Sequence, residues 1–185
     1  MAKTVLVAIA DGSEDLETVS IIDVLRRAEL DVTVASVGNL QVKCARGVNM
    51  VADKQIEDCV DSSFDMIAIP GGLPGADNLR DSQALKDLLL KQKASSNYYA
   101  AICASPAVVF QTHGLLSGKK ATCYPAFMER LDQASVEDGR VVVDGYCITS
   151  QGPGTAIEFS LKLVEVLCGM EKAKEVASAM LVSYP

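Results

Sequence analysis

The sequence predicts an α/β fold: a mostly parallel sheet with helices on both faces. Three observations carry the prediction. Strand-like runs alternate with amphipathic helical stretches, the pattern of βαβ units. Two runs, Phe64–Pro70 and Tyr98–Ile102, are apolar almost throughout, as strands covered on both faces are. The second run ends at Cys103, and Ser105 and Pro106 then read as a helix start, with a hydroxyl near the N-cap and proline in the first turn. A cysteine is thereby placed on a sharp strand-to-helix turn, the nucleophile elbow in cysteine form. The positive end of a helix and the free amides of the turn both favour a thiolate there and lower its pKa.

Taken in order, Lys3–Ala10 is a strand, Asp11–Glu14 a turn and cap, and Glu14–Ala28 a helix with Leu16, Val19, Ile22 or Ile21, and Leu25 on one face. Val32–Val37 is the second strand. Leu40–Cys44 and Val48–Val51 pair as a small hairpin around Arg46-Gly47, and Ile56–Val60 is a short helix. Phe64–Pro70 ends in Gly71-Gly72. Gln83–Lys93 is an amphipathic helix with Leu85, Leu88 and Leu89 inside. Pro106–His113 is a helix stopped by Gly114. Lys120–Tyr124 is a short strand, Ser135–Val136 and Arg140–Val143 form a hairpin, and Cys147–Ser150 is a strand followed by the turn Gln151-Gly152-Pro153-Gly154. Thr155–Cys168 is a long helix with Ile157, Leu161, Val164 and Cys168 in one stripe, and Glu171–Met180 is the last.

At 185 residues the chain reads as one domain over 1–185. A formal charge of −7 with no Lys/Arg cluster disfavours nucleic acid and anionic membrane as partners. No apolar run reaches the roughly 20 residues of a membrane span, and the N-terminal run reads as a strand rather than a signal peptide. The six cysteines (Cys44, Cys59, Cys103, Cys123, Cys147 and Cys168) contain no CxxC and no zinc-ligand pair. They read as reduced thiols of a cytoplasmic protein, with those other than Cys103 as small buried hydrophobes. No metal or cofactor is expected.

In a parallel sheet, ligands bind at the carboxyl ends of the strands. That rule selects Asp11–Glu17, Gly71–Ala76 and Cys103–Ser105. Glu17 lies about one turn into the first helix; with Leu16 and Val19 as core candidates, it points inward as a desolvated acid beside a thiolate, or is an ordinary first-turn glutamate. Gly71-Gly72 supplies close-approaching amides for an anion, or is a plain tight turn. His113, the only histidine, follows Cys103 by ten residues on the predicted helix, about 15 Å along it. It is too far to be a base and reads as a C-terminal-turn histidine complementing the helix dipole, which disfavours a Cys-His protease. Arg26, Arg27 and Arg46 form a local basic patch or are separately solvated.

Four stretches in register resemble the ThiJ/PfpI superfamily, in its DJ-one branch: Leu6–Thr18, Ile69-Pro70-Gly71-Gly72, Ala101–Pro106 and Thr149–Thr155. The resemblance runs from Lys3 to the C-terminus. It implies a flavodoxin-like three-layer sandwich and a homodimer. It implies that Cys103 is the reactive, oxidation-prone thiol, Glu17 its protonated hydrogen-bond partner, and the amides of Gly72 and Ala104 a cradle for an oxyanion. Gly71, Tyr124 and Pro153 are implied as site support, with Arg46 reaching the partner subunit's site and Arg27 supporting the interface. The chain departs from many relatives in having Tyr124 where they have histidine and Gln151 where they have arginine. A phenol there donates a hydrogen bond but is a poor base. The PfpI-type protease motif is absent, since Ala104 follows the cysteine.

The expected activity is glutathione-independent conversion of methylglyoxal or glyoxal to the hydroxy acid through a Cys103 hemithioacetal, or deglycation of protein adducts of the same aldehydes. The alternative is an oxidative-stress sensor and redox-dependent chaperone using the same thiol; some relatives are labelled thiamine-biosynthesis proteins.

Overall fold

The computed structural model describes residues 2–185. Thr4–Ala10 is β1, and its apolar side chains divide between two cores because successive residues of a strand face opposite ways. Val5, Val7 and Ile9 pack with Ile21, Val24 and Leu25 of α1 (Asp15–Arg27) and with Phe159 and Leu163 of α4 (Ala156–Cys168). Leu6, Ala8 and Ala10 face Leu79 of α2 (Gly75–Asp81) and Leu85, Leu88 and Leu89 of α3 (Gln83–Ala94). Each such buried leucine contributes about 2 kcal/mol of apolar transfer. Helix α5 (Met170–Ala179) adds Ala173, Val176 and Ala177 to the first core. The result is a mostly parallel sheet with helices on both faces, as the alternation of strands and helices predicts, and the flavodoxin-like three-layer sandwich that the resemblance implies.

The central sheet also contains β2 (Asp31–Val37), β5 (Lys54–Gln55), β6 (Met66–Ile69), β7 (Tyr98–Ile102), β10 (Val141–Asp144) and β11 (Cys147–Ser150). Its order is β10-β11-β7-β6-β1-β2-β5. All pairings are parallel except β10 with β11. The carboxyl ends of β1, β6 and β7 are therefore neighbours in space. A separate hairpin, β3 (Gln41–Lys43) with β4 (Asn49–Val51), carries Arg46 in its turn region.

Several expectations are corrected. The buried stripe of α1 is not Leu16 and Val19, which are 54% and 49% exposed, but Glu17, Thr18, Ile21, Val24 and Leu25. The inward face is rotated by about one residue, which is about 100° on a helix. On α4, Ile157 and Cys168 lie outside and Ala156, Phe159, Ser160 and Leu163 join Leu161 and Val164 inside. Ser135–Val136 does not form a hairpin with the run near Arg140. It is β9, parallel to β8 (Lys120–Ala121), while β10 pairs with β11 across the two-residue turn Gly145-Tyr146. Gly145 sits at φ +61, as such a tight turn requires, and this shorter connection wins β10.

Past Ala121 the chain leaves the ladder, so the strand expected to reach Tyr124 stops early. The helix expected over Pro106–His113 is a π-helical turn, Pro106–Phe110, followed by turns. Ser105 does not cap it: its backbone is helical, and its hydroxyl donates to the Pro70 carbonyl at 2.5 Å. Helix α2 is absent from the sequence reading because its seven residues hold too few apolar positions to show a period. Among the described residues no helix is long and apolar enough to cross a membrane, and no group of His, Cys, Asp or Glu could hold a metal ion.

Candidate active site

Cys103 terminates β7 at φ +65, a left-handed conformation that costs a non-glycine residue about 1–2 kcal/mol. Both sides of the residue are tied down. Its amide donates to the Ser150 carbonyl at 3.0 Å, and its carbonyl accepts from the Tyr124 amide at 2.7 Å. The side chain is 9% exposed, at the floor of a cavity of about 440 Å³.

Glu17 lies beneath it, fully buried. The Glu14 carboxylate caps α1 by accepting from the Glu17 amide at 2.8 Å, which places Glu17 in the first turn over the ends of β1 and β6. The Gly71 amide donates to Glu17 Oε2 at 2.7 Å. The carboxyl interacts with the Cys103 side chain, and its Oε1 is buried with no hydrogen-bond partner. Burial, reinforced by the Glu14 charge, pushes the Glu17 carboxyl up to about 7.

The lowered Cys103 pKa expected from a helix start is corrected. No long helix begins there, and burial, together with the Glu17 carboxylate when that group is ionised, pushes the thiol up, to about 12. The amides of Gly72 and Ala104 pull the other way by hydrogen-bonding the sulfur.

Three loops interlock around this pair, and glycine is required where they touch. A Cβ on Gly71 would lie 2.6 Å from Cys103 Cβ, and one on Gly72, at φ +88, would lie 2.5 Å from the Glu14 amide nitrogen. Gly12 and Gly75 make the same close approach between the β1–α1 and β6–α2 loops: a Cβ on Gly75 would lie 2.3 Å from the Ser13 nitrogen.

The hairpin docks on the first of these loops. Buried Asp15 accepts from the amides of Arg46 at 2.7 Å and Val48 at 2.9 Å. Arg46 thereby lines the pocket of its own chain. Tyr124 and Pro153 also line it, together with Glu14, Ala45, Leu73 and Phe127. Arg27 does not belong to this pocket: it lies at the far end of α1, paired with Asp23 at 2.7 Å on the surface. Arg26 pairs with Asp53 at 3.2 Å, so the three arginines make no common patch. The Gln151 amide donates to Asp138 at 3.5 Å, and Gln151 does not line the pocket. His113 is likewise outside the site; its Nε2 donates to the Arg80 carbonyl at 3.0 Å, and burial, not a helix dipole, sets its lowered pKa.

The description of the DJ-1/PfpI family matches residues 3–166. The chain belongs to that family. The solved structure of oxidized Toxoplasma gondii DJ-1 superposes with a TM-score of 0.95 at 52% identity, covering 99% of this chain and 100% of that one. Protein DJ-1 homolog B of Arabidopsis thaliana is 50% identical over 179 residues; the match takes in 96% of this chain but only 41% of the plant protein. A Caenorhabditis elegans relative named glutathione-independent glyoxalase DJR-1.2 is 38% identical over 164 residues, covering 88% of this chain and 87% of that protein.

Sequence reasoning passed over Glu14 as more than a cap, and over Asp15, Leu73, Phe127, Gly12 and Gly75. Glu14 and Asp15 are visible as adjacent acids at a helix start. The two glycines lie in the loops that the strand-end rule selects. Leu73 and Phe127 carry no local signal.

Proposed function

We propose that the chain is a glutathione-independent glyoxalase acting on methylglyoxal, glyoxal or their protein adducts through Cys103. One observation carries the reading: a buried carboxyl beside Cys103 whose Oε1 accepts no hydrogen bond, with the Gly71, Gly72 and Ala104 amides converging on the pair. The pair holds one negative charge once one proton is lost, and the two ways of placing it are not equivalent. On sulfur, the charge is met by the Gly72 and Ala104 amides and by a Glu17 O–H. On the carboxylate, it is met by the Gly71 amide and a weak S–H donor. The better-solvated arrangement is the thiolate with protonated Glu17.

The thiolate adds to the aldehyde carbon, and the new oxyanion is held by the Gly72 and Ala104 amides and takes the Glu17 proton. Glu17, now a carboxylate, removes the hydrogen of that carbon as a proton and returns it to the neighbouring carbonyl carbon, while the hemithioacetal hydroxyl proton passes to the neighbouring oxygen. The electron pair shifts with it, so one carbon is oxidised and the other reduced with no outside oxidant. The product is a thioester; water hydrolyses it, releasing the 2-hydroxy acid and restoring the pair. The relative named a glyoxalase supports this at family level. The test is lactate formation from methylglyoxal by purified protein without glutathione. Turnover absent in Cys103→Ala and Glu17→Gln supports the reading; a wild type that makes no lactate rejects it.

A second reading is favoured by the same amides, which suit sulfinate oxygens. Two equivalents of peroxide convert the thiol to sulfinic acid and two waters, and a protonated Glu17 donates to the product. Under either reading the chain works as a cytoplasmic homodimer, with exposed Leu16 and Val48 as the apolar contacts.

A further inference from the structure

The pocket is far larger than a three-carbon aldehyde needs. At about 440 Å³ it lies in the range that accepts drug-sized ligands. Its free space is not uniform. Glu14 and Arg46 are its only charged lining residues, and the rest of the side-chain surface comes mainly from Leu73, Tyr124, Phe127 and Pro153. Leu73 is 49% and Tyr124 44% exposed, so both present unburied carbon to whatever enters.

Two rings build this wall. The Tyr124 and Phe127 centroids are 6.3 Å apart and tilted, and Arg130 lies over the Phe127 ring at 4.7 Å, which fixes its orientation. The wall stands beside the reacting atom. A point at the Cβ position of Gly152 lies 3.3 Å from Tyr124 Cδ2 and 3.9 Å from Cys103 Sγ. The absence of a side chain at Gly152 is therefore what lets ring and sulfur share one space. The Tyr124 backbone is pinned there by its bond to the Cys103 carbonyl. A histidine at this position would present a smaller, polar ring to the same space.

We infer that the Tyr124–Phe127 wall selects 2-oxoaldehydes carrying an aryl or branched apolar group over methylglyoxal. The inference rests on the glyoxalase reading for its reaction and on the wall alone for its preference. An apolar group laid against the rings stays in contact while the aldehyde carbon meets Cys103. A methyl group leaves the wall in contact with water. Wall contact kept from the bound aldehyde through the transition state raises kcat/KM.

The experiment compares phenylglyoxal with methylglyoxal in initial-rate assays on wild type, Tyr124→Ala and Phe127→Ala, each checked for folding by circular dichroism. A second arm measures binding of the unreactive acids phenylglyoxylate and pyruvate to Cys103→Ala, with and without Tyr124→Ala, by calorimetry. The expected result is a kcat/KM about tenfold higher for phenylglyoxal, a ratio that falls at least fivefold in either wall variant, and tighter binding of phenylglyoxylate that Tyr124→Ala removes. Turnover of both aldehydes with a ratio near one, or a ratio that Tyr124→Ala leaves in place, overturns the wall and spares the glyoxalase. No turnover of either aldehyde with selective phenylglyoxylate binding retained rejects the glyoxalase and supports the wall. Neither turnover nor selective binding rejects both.

Discussion

Glu17 should make the protein less stable as pH rises, and Glu17→Gln should remove that dependence. In the fold its carboxyl is pushed from an ordinary 4.5 to about 7, chiefly by burial. Between those values the folded Glu17–Cys103 pair keeps both its protons, while the unfolded chain has released the carboxyl proton. The unfolding free energy therefore falls as pH rises: the contribution is fully present below pH 4.5 and is lost by the time pH has passed about 7. The size of the loss is about 3 kcal/mol, which for a chain of this length is about 10 °C in melting temperature. Depressed carboxyls such as Asp65 and Glu165 act in the opposite direction, but both proteins carry them, so they cancel in the comparison. Urea titrations of wild type and Glu17→Gln at pH 4.5 and pH 8 supply the four values needed. The glutamine variant should gain about 3 kcal/mol on wild type between the two. An unchanged difference would refute the claim that Glu17 is held protonated by its surroundings.

Other outcomes follow from the same geometry. Glu17→Gln should abolish aldehyde turnover, since an amide cannot accept the proton, whereas Tyr124→Phe should cost far less; steady-state assays showing equal losses would give the phenol a proton-transfer role. Gly71→Ala sets a Cβ 2.6 Å from Cys103 Cβ and should lower the melting temperature by several degrees and turnover by at least tenfold, from a displacement of order 1 Å. Mild peroxide should oxidise Cys103 before the other thiols, even exposed Cys168; peptide mapping with Cys168 modified first would contradict this. Leu16→Asp, a charge in place of a side chain that is 54% exposed, should convert a dimer to a monomer by light scattering, and a wild type already monomeric at micromolar concentration would reject the dimer.

The strands and the elbow are legible in the sequence because β7 and its neighbours are covered on both faces and so read as unbroken apolar runs. Cys103, Gly71 and Gly72 follow from the rule about strand ends. The same rule brings Glu17 to the site, but its inward-facing role is legible only through resemblance. The periodicity argument that turned it inward used Leu16 and Val19 as core, and both face outward. A helix whose inner face contains Glu17 and Thr18 defeats a purely apolar count. Of the pocket walls, Tyr124, Pro153 and Arg46 are legible only through resemblance, and Leu73 and Phe127 not at all: they come from separate segments that only the packed fold brings together. The thiol's surroundings were misread for a related reason. A proline after a cysteine suggests a helix, but the segment forms a single π-helical turn, and burial, which no local motif reports, dominates.

The central claim is that Cys103 and Glu17 share one proton, with the charge on sulfur. Thiolate ultraviolet absorbance, taken as the difference between wild type and Cys103→Ser and followed across pH, tests it directly. The account predicts that thiolate appears in the pair's first deprotonation step, and that Glu17→Gln, whose amide cannot take the proton from sulfur, moves the step. Thiolate appearing only near pH 12, with the carboxyl alone titrating near 7, would contradict it.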